Sequence, residues 1–166
     1  MNENSKNKLL SEFKEEVKDG YNLIHQNEGP TLGYSPDSGI KIIEVDGKIF
    51  KDFNGSGKLE PYEDWRLSME ERARDLASKL TIDEIAGLML YSIQNKLPMP
   101  DDTYGGKPFE ESDAKAYDLS DAQKKFLIED NLRHILVSKI ESPETAARWN
   151  NKVQALIEGR THGIPA

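Results

Sequence analysis

The stretch from Asp52 to Glu63, reading DFNGSGKLEPYE, constrains the fold more than any other part of the chain. Oxygen-bearing side chains fall at loop positions one, three, five and twelve, as Asp52, Asn54, Ser56 and Glu63. Position six is Gly57, position seven is Lys58, which has only to offer its carbonyl, and position eight is the apolar Leu59. This is the spacing of an EF-hand calcium loop, in which alternate side chains converge on one hard cation and glycine supplies the sharp turn. The candidate metal ligands are therefore Asp52, Asn54, Ser56, Lys58 and Glu63, with Glu60 at position nine a further contributor through water, and Ca2+ is the expected structural cofactor. The competing reading is a polar turn, because Asn-Gly and Ser-Gly pairs mark turns without any metal. With Asp52 and Glu63 as its anionic ligands, the loop predicts a weak site, with a dissociation constant on the order of 0.1 to 1 mM. No partner loop accompanies it, which favours a structural clip over a calcium sensor.

The rest of the composition narrows the class of protein. A chain of 166 residues with net charge −8 and no basic patch is a poor match for nucleic acid or an anionic membrane, either of which needs clustered lysine and arginine. No cysteine is present, so disulfides and thiolate sites are excluded. No signal-like or membrane-spanning apolar run occurs, and the expected location is cytoplasmic.

Along the chain, Leu9, Leu10, Phe13 and Val17 predict a helix over 5–17, and the Pro- and Gly-punctuated residues 26–39 predict a loop. Residues 40–45 and 48–50 are strand-prone and joined by Asp46-Gly47, the signature of a β-hairpin running straight into the candidate calcium loop. Ser68 with Glu71, and Thr81 with Glu84, open two helices. Their stripes Met69, Ala73, Leu76, Leu80 and Ile82, Ile85, Ala86, Met89, Ile93 are expected to be core. Residues 97–119 read as an acid-rich surface loop, and Ser120 with Gln123 caps a short helix. Ile135 to Val137 suits a strand covered on both faces, Ser142-Pro143 starts another helix, and Gly163 to Ala166 suits the start of a further strand. Strand, helix, strand at this spacing is a β-α-β unit.

Three phrases carry a family resemblance: DFNGSGKLEPYEDWR, ERARDLASKLTIDEIAGLML and NLRHILVSKIESPETAARWNNKVQALIEGRTHGIPA. Together they resemble the amino-terminal part of glycoside hydrolase family 3, the β-glucosidase and β-xylosidase group, over roughly residues 40–166. The resemblance implies an α/β fold: the beginning of a TIM-type (β/α)8 barrel, mostly helical in this stretch, preceded by a β-hairpin and an EF-hand-like loop. It divides the chain into an extension (1–39), the hairpin with its loop (40–67) and an incomplete barrel domain (68–166). It also implies a retaining hydrolase of β-linked sugars whose partners are the remainder of the barrel and a second domain. The sugar-gripping acid, nucleophile and acid/base of that family fall at positions later than Ala166, so no catalytic or substrate-binding residue is assigned here, and the chain alone is expected to be inactive. The alternative function is a non-catalytic, calcium-dependent interaction module resembling a dockerin, although dockerins carry two such loops in tandem.

The remaining chemistry-bearing residues have plainer readings. Glu141 and the acids Asp101, Asp102, Glu110, Glu111 and Asp113 read as solvated loop residues, and His134 as a packed or surface histidine without a second ligand at metal spacing. Trp65 and Trp149 stand beside helical stripes and read as packing residues.

Overall fold

Among the described residues, the first element of the computed structural model is a strand over the last five residues of the helix expected at 5–17; residues 5–12 of that expectation lie outside the described residues. The structure describes residues 13–95, 115–138 and 142–166. Strand β1 (Phe13–Val17) pairs antiparallel with β2 (Asn22–Gln26), which pairs in turn with the short β3 (Leu32–Tyr34). A four-residue spacing puts Phe13 and Val17 on one face of either a helix or a strand, so periodicity at these positions does not discriminate. Neighbouring strands decide it, and β3 also replaces part of the loop expected over 26–39. The residues separate into two compact units, one ending at Ser78 and one beginning at Lys79.

Within the first unit, β4 (Lys41–Val45) and β5 (Lys48–Asp52) form the antiparallel ladder that Asp46-Gly47 predicts. Both turn residues take positive φ (53° and 74°), the requirement of a type I′ turn. The three-stranded sheet reaches this ladder through Gln26. The Ile49 N–H donates to Gln26 Oε1 at 3.0 Å, and Gln26 Nε2 donates to the Ile49 carbonyl at 3.4 Å, doing for Ile49 what a neighbouring strand would do. Trp65 Nε1 donates to the same carbonyl at 3.0 Å, and its ring stacks on Phe50 with centroids 5.2 Å apart. Gly29 permits this arrangement. It has φ +127°, and a Cβ there would fall 2.5 Å from the Trp65 ring.

Helix α1 (Met69–Lys79) begins at the predicted reciprocal cap, with the Glu71 N–H donating to Ser68 Oγ at 3.2 Å and the Ser68 N–H to Glu71 Oε2 at 3.0 Å. The expectation that its stripe is core is overturned: no residue of α1 is buried, and Met69 is 84% exposed.

In the second unit, helix α2 (Ile82–Met89) opens with the predicted Thr81–Glu84 capping box but ends earlier than expected. Residues after Leu90 form strand β6 (Tyr91–Asn95) instead of continuing the helix to Ile93. Ile93 follows Met89 by four residues and Tyr91 by two, so it satisfies the helical and the strand period at once. The α2 stripe is a second correction, because Ile82, Ile85 and Met89 are all exposed. The opposite side is the one that packs. At Gly87 a Cβ would come within 2.4 Å of Asn131 Cβ and 2.6 Å of the Asp130 carbonyl, so α2 meets that turn at backbone distance.

Strand β6 pairs in parallel with β7 (His134–Ser138), from Tyr91 opposite His134 to Asn95 opposite Ser138. Helix α3 (Asp121–Ile128) lies between them in sequence, so this is a β-α-β unit one strand earlier than expected. Helix α4 (Pro143–Glu158) follows, capped by Ser142 Oγ, which accepts from the Thr145 N–H at 3.1 Å. Leu119, Leu127, Trp149, Val153 and Ile157 form the core, with Ile135 and Val137 of β7 packed on it. The expectation that β7 is covered on both faces fails, since Leu136 on its other face is 47% exposed. The expected strand from Gly163 is absent; a 3-10 turn (Thr161–Gly163) leads to irregular chain held by Gln154, which donates to the Ala166 carbonyl at 2.6 Å.

Candidate functional site

The residues from Asp52 to Glu63 wrap around two buried carboxylates. Asp52, at the end of β5, is 1% exposed, and Glu63 is 3% exposed. Asp52 Oδ1 accepts from the Ser56 N–H at 3.0 Å and Oδ2 from the Gly57 N–H at 2.8 Å. Glu63 Oε1 accepts from the Phe53 N–H at 2.8 Å and Oε2 from the Glu60 N–H at 3.0 Å, which ties the end of the loop to its beginning. Asn54, Ser56 and Lys58 lie on the exposed side. Asn54 Oδ1 accepts from the Ser56 N–H at 3.0 Å, and Ser56 Oγ donates to the Lys58 carbonyl at 3.2 Å. Of the five sequence-predicted ligands, Asp52 and Asn54 thus share one donor, and Ser56 and Lys58 touch each other.

The electrostatics of this loop are lopsided. Asp52 and Glu63 each accept from two backbone N–H groups, and among the described residues neither carboxylate is paired with a cation. The phenol of Tyr62, buried beside them, is pushed far above the ordinary tyrosine range, first by burial and then by the charges of Glu63, Glu60 and Asp52. A concentration of negative charge in a desolvated place costs free energy unless a cation or a proton offsets it. Among the described residues, no three His, Asp or Glu side chains are gathered as a metal cluster. A calcium ion here would therefore depend on the neutral oxygens of Asn54, Ser56 and the Lys58 carbonyl alongside the two carboxylates, a donor set that suits a hard cation.

The loop is fastened to α1 by groups that the twelve-residue motif does not include. The Tyr62 N–H donates to Asp75 Oδ2 at 3.1 Å, and Arg72 Nε donates to the Tyr62 carbonyl at 3.1 Å. Arg66 forks onto Asp64, with Nε to Oδ1 at 2.9 Å and Nη2 to Oδ2 at 2.7 Å, and its guanidinium lies 5.0 Å from the centre of the Phe50 ring. The phrase YEDWR, which overlaps the end of the loop, holds Tyr62, Asp64 and Arg66 of these contacts, while Arg72 and Asp75 lie beyond it.

Asp64 makes this fastening sensitive to acid. Its hydrogen bonds from Arg66 hold its carboxyl below the ordinary 3.8 despite burial. A carboxyl with a depressed folded-state value stabilises the fold above its unfolded pKa and loses that contribution as pH falls through the folded value. The first unit is therefore expected to lose stability as pH falls below about 4, and Asp64→Asn should flatten that part of the pH–stability curve. Urea midpoints of both chains at a series of pH values would check it.

The other candidates are placed as follows. Trp65 stacks on Phe50, and Trp149, 2% exposed, lies in the core of the second unit. His134 is exposed on β7, beside Tyr91 of β6. Glu141 and the acids from Asp101 to Asp113 lie outside the described residues. Glu84, expected only as the partner of Thr81 in a helix cap, also has a second role that the sequence did not signal. Burial alone would raise its pKa, but the donors of Thr81 and the nearby His162 and Arg133 hold it low. Its Oε1 is 3.8 Å from His162 Nε2, joining α2 to the carboxy-terminal turn. No helix among the described residues is long and apolar enough to cross a membrane.

A parallel β-α-β unit is a building block common to α/β folds, and sequence comparison narrows the class. No family model matches the chain. Over 129 residues, 76% of its length, the chain is 38% identical to a periplasmic beta-glucosidase/beta-xylosidase of Dickeya chrysanthemi. The matched segment is 18% of that protein, so the chain is related to one portion of a glycosidase and spans under a fifth of its relative.

Proposed function

We propose that this chain is the amino-terminal portion of a retaining β-glycosidase of glycoside hydrolase family 3, hydrolysing O-glycosyl bonds of β-linked sugars. The parallel β-α-β unit of β6, α3 and β7 is the observation that carries this reading beyond the sequence likeness. One face of β7 is covered by the helical core, and the other shows Leu136 beside Ile93 of β6, both exposed. Such a face is costly in water, at roughly 25 cal/mol per Å2 of apolar surface. The inward surface of a TIM-type barrel is where these residues would be buried, by further strands of the same fold. Residues 68–166 are then the start of that barrel, and 40–67 are a brace ahead of it.

Retaining hydrolysis needs two carboxyl groups about 5 to 5.5 Å apart, one as nucleophile and one as acid/base. In this reading both come from parts of the enzyme outside the matched segment, and the chain alone turns over no aryl β-glucoside. Ca2+ is held by Asp52, Asn54, Ser56, the Lys58 carbonyl and Glu63, and its part is to offset the buried charge and stiffen the brace. The absence of a second tandem loop makes a dockerin-like module the weaker reading.

The test is a chimera in which this chain replaces the matched segment of the Dickeya enzyme. Hydrolysis of aryl β-glucosides or β-xylosides by the chimera, with none by the chain alone, is the expected result. A folded chimera without activity, or turnover by the purified chain, would contradict the proposal.

A further inference from the structure

We infer that Asn54-Gly55 is a modification site, at which the side-chain amide is lost to water without an enzyme. The reaction is attack of the deprotonated Gly55 backbone nitrogen on Asn54 Cγ. The new N–Cγ bond closes a five-membered imide, the Cγ–Nδ2 bond breaks, and ammonia leaves. Water then opens the ring at either carbonyl, giving aspartate or isoaspartate at position 54.

Four features of the loop favour it. Among the described residues, nothing accepts a hydrogen bond from the Gly55 N–H, so the nucleophile is not engaged. Leaving out its two chain neighbours, no atom lies within 4 Å of where a Gly55 Cβ would be, so nothing more distant in sequence packs against that side of the residue that supplies the nucleophile. Asn54 and Gly55 are both exposed to the water the second step consumes. Finally, the Ser56 N–H donates to Asn54 Oδ1 at 3.0 Å; this polarises the carbonyl under attack and stabilises the oxyanion that develops on it. None of the other described asparagines precedes a glycine: Asn22 and Asn131 precede leucine, Asn27 precedes Glu28, Asn95 precedes Lys96, Asn150 precedes Asn151, and Asn151 precedes Lys152.

The modification would act on the loop itself. Either product adds a negative charge next to Asp52 and Glu63, and isoaspartate also inserts a methylene into the backbone ahead of the Ser56 and Gly57 N–H groups that Asp52 holds. The inference stands without any bound metal.

Trypsin cuts after Lys51 and Lys58 and so isolates residues 52–58, which contain one asparagine. The full chain, kept warm at neutral pH with a chelator, should gain the mass of NH2-to-OH replacement in this peptide at least ~10-fold faster than in the peptides carrying Asn22, Asn131, Asn150 and Asn151, a difference of about 1.4 kcal/mol in barrier. Equal rates at all these positions would overturn the inference. So would a rate in the folded chain more than ~10-fold below that of the same chain unfolded in urea, because the loop would then hold the amide out of reach. Gly55→Ala should slow the gain, and an unchanged rate in that variant counts against the mechanism.

Discussion

Asp52→Ala is expected to lower the stability of the first unit by about 3 kcal/mol, because the buried carboxylate accepts two charge-assisted hydrogen bonds of roughly 1.5 kcal/mol each. The loss falls on the turn itself. The Ser56 N–H keeps Asn54 Oδ1 as an acceptor, whereas the Gly57 N–H must find water. Asp52→Asn retains one acceptor oxygen and should cost about half as much. Urea unfolding followed by Trp65 emission, in a Trp149→Phe background so that one tryptophan reports, measures both. Equal stability of the wild type and the alanine variant would mean that the carboxylate does not organise the loop.

In the second unit the largest expected effect is from Trp149→Ala, at about 3 to 5 kcal/mol. Trp149 is 2% exposed among Leu119, Leu127, Val153 and Ile157, so its removal opens a cavity beside α3, β7 and α4 together. Amide exchange in those three elements should lose protection by two or more orders of magnitude, since each ~1.4 kcal/mol is tenfold in an opening equilibrium. Retained protection in α3 and α4 would show that the core closes over the gap.

Where a side chain makes its contact within a few residues, the sequence was readable. The reciprocal caps Ser68–Glu71, Thr81–Glu84 and Ser120–Gln123 and the Asp46-Gly47 turn are local chemistry, and each forms as the residue types require. Errors came where one residue satisfied two periods, as with Phe13 and Val17 or Ile93, and strand neighbours distant in sequence decided the outcome. The apolar stripes of α1 and α2 marked surfaces that need cover. Composition alone does not say whether the cover comes from within the same 166 residues, and here Met69, Ile82 and Met89 remain exposed. At the candidate site, the ligand spacing was legible while the clamp around it was not. The links from Tyr62 to Asp75 and Arg72 span ten residues or more. Gln26 reaches Ile49 across 23 residues, a distance no local motif encodes.

We take the loop from Asp52 to Glu63 to be a brace closed by calcium, since among the described residues its two buried carboxylates are not paired with any cation. Chemical unfolding of the first unit at rising calcium, with magnesium at the same ionic strength as reference, tests it most directly. A ligand bound by the folded form at 10 to 100 times its dissociation constant adds about 1.4 to 2.7 kcal/mol, so 10 mM calcium should stabilise the chain by that amount. The Asp52→Ala chain should show no such gain. Identical unfolding with and without 10 mM calcium, or the same gain in wild type and variant, would contradict the account.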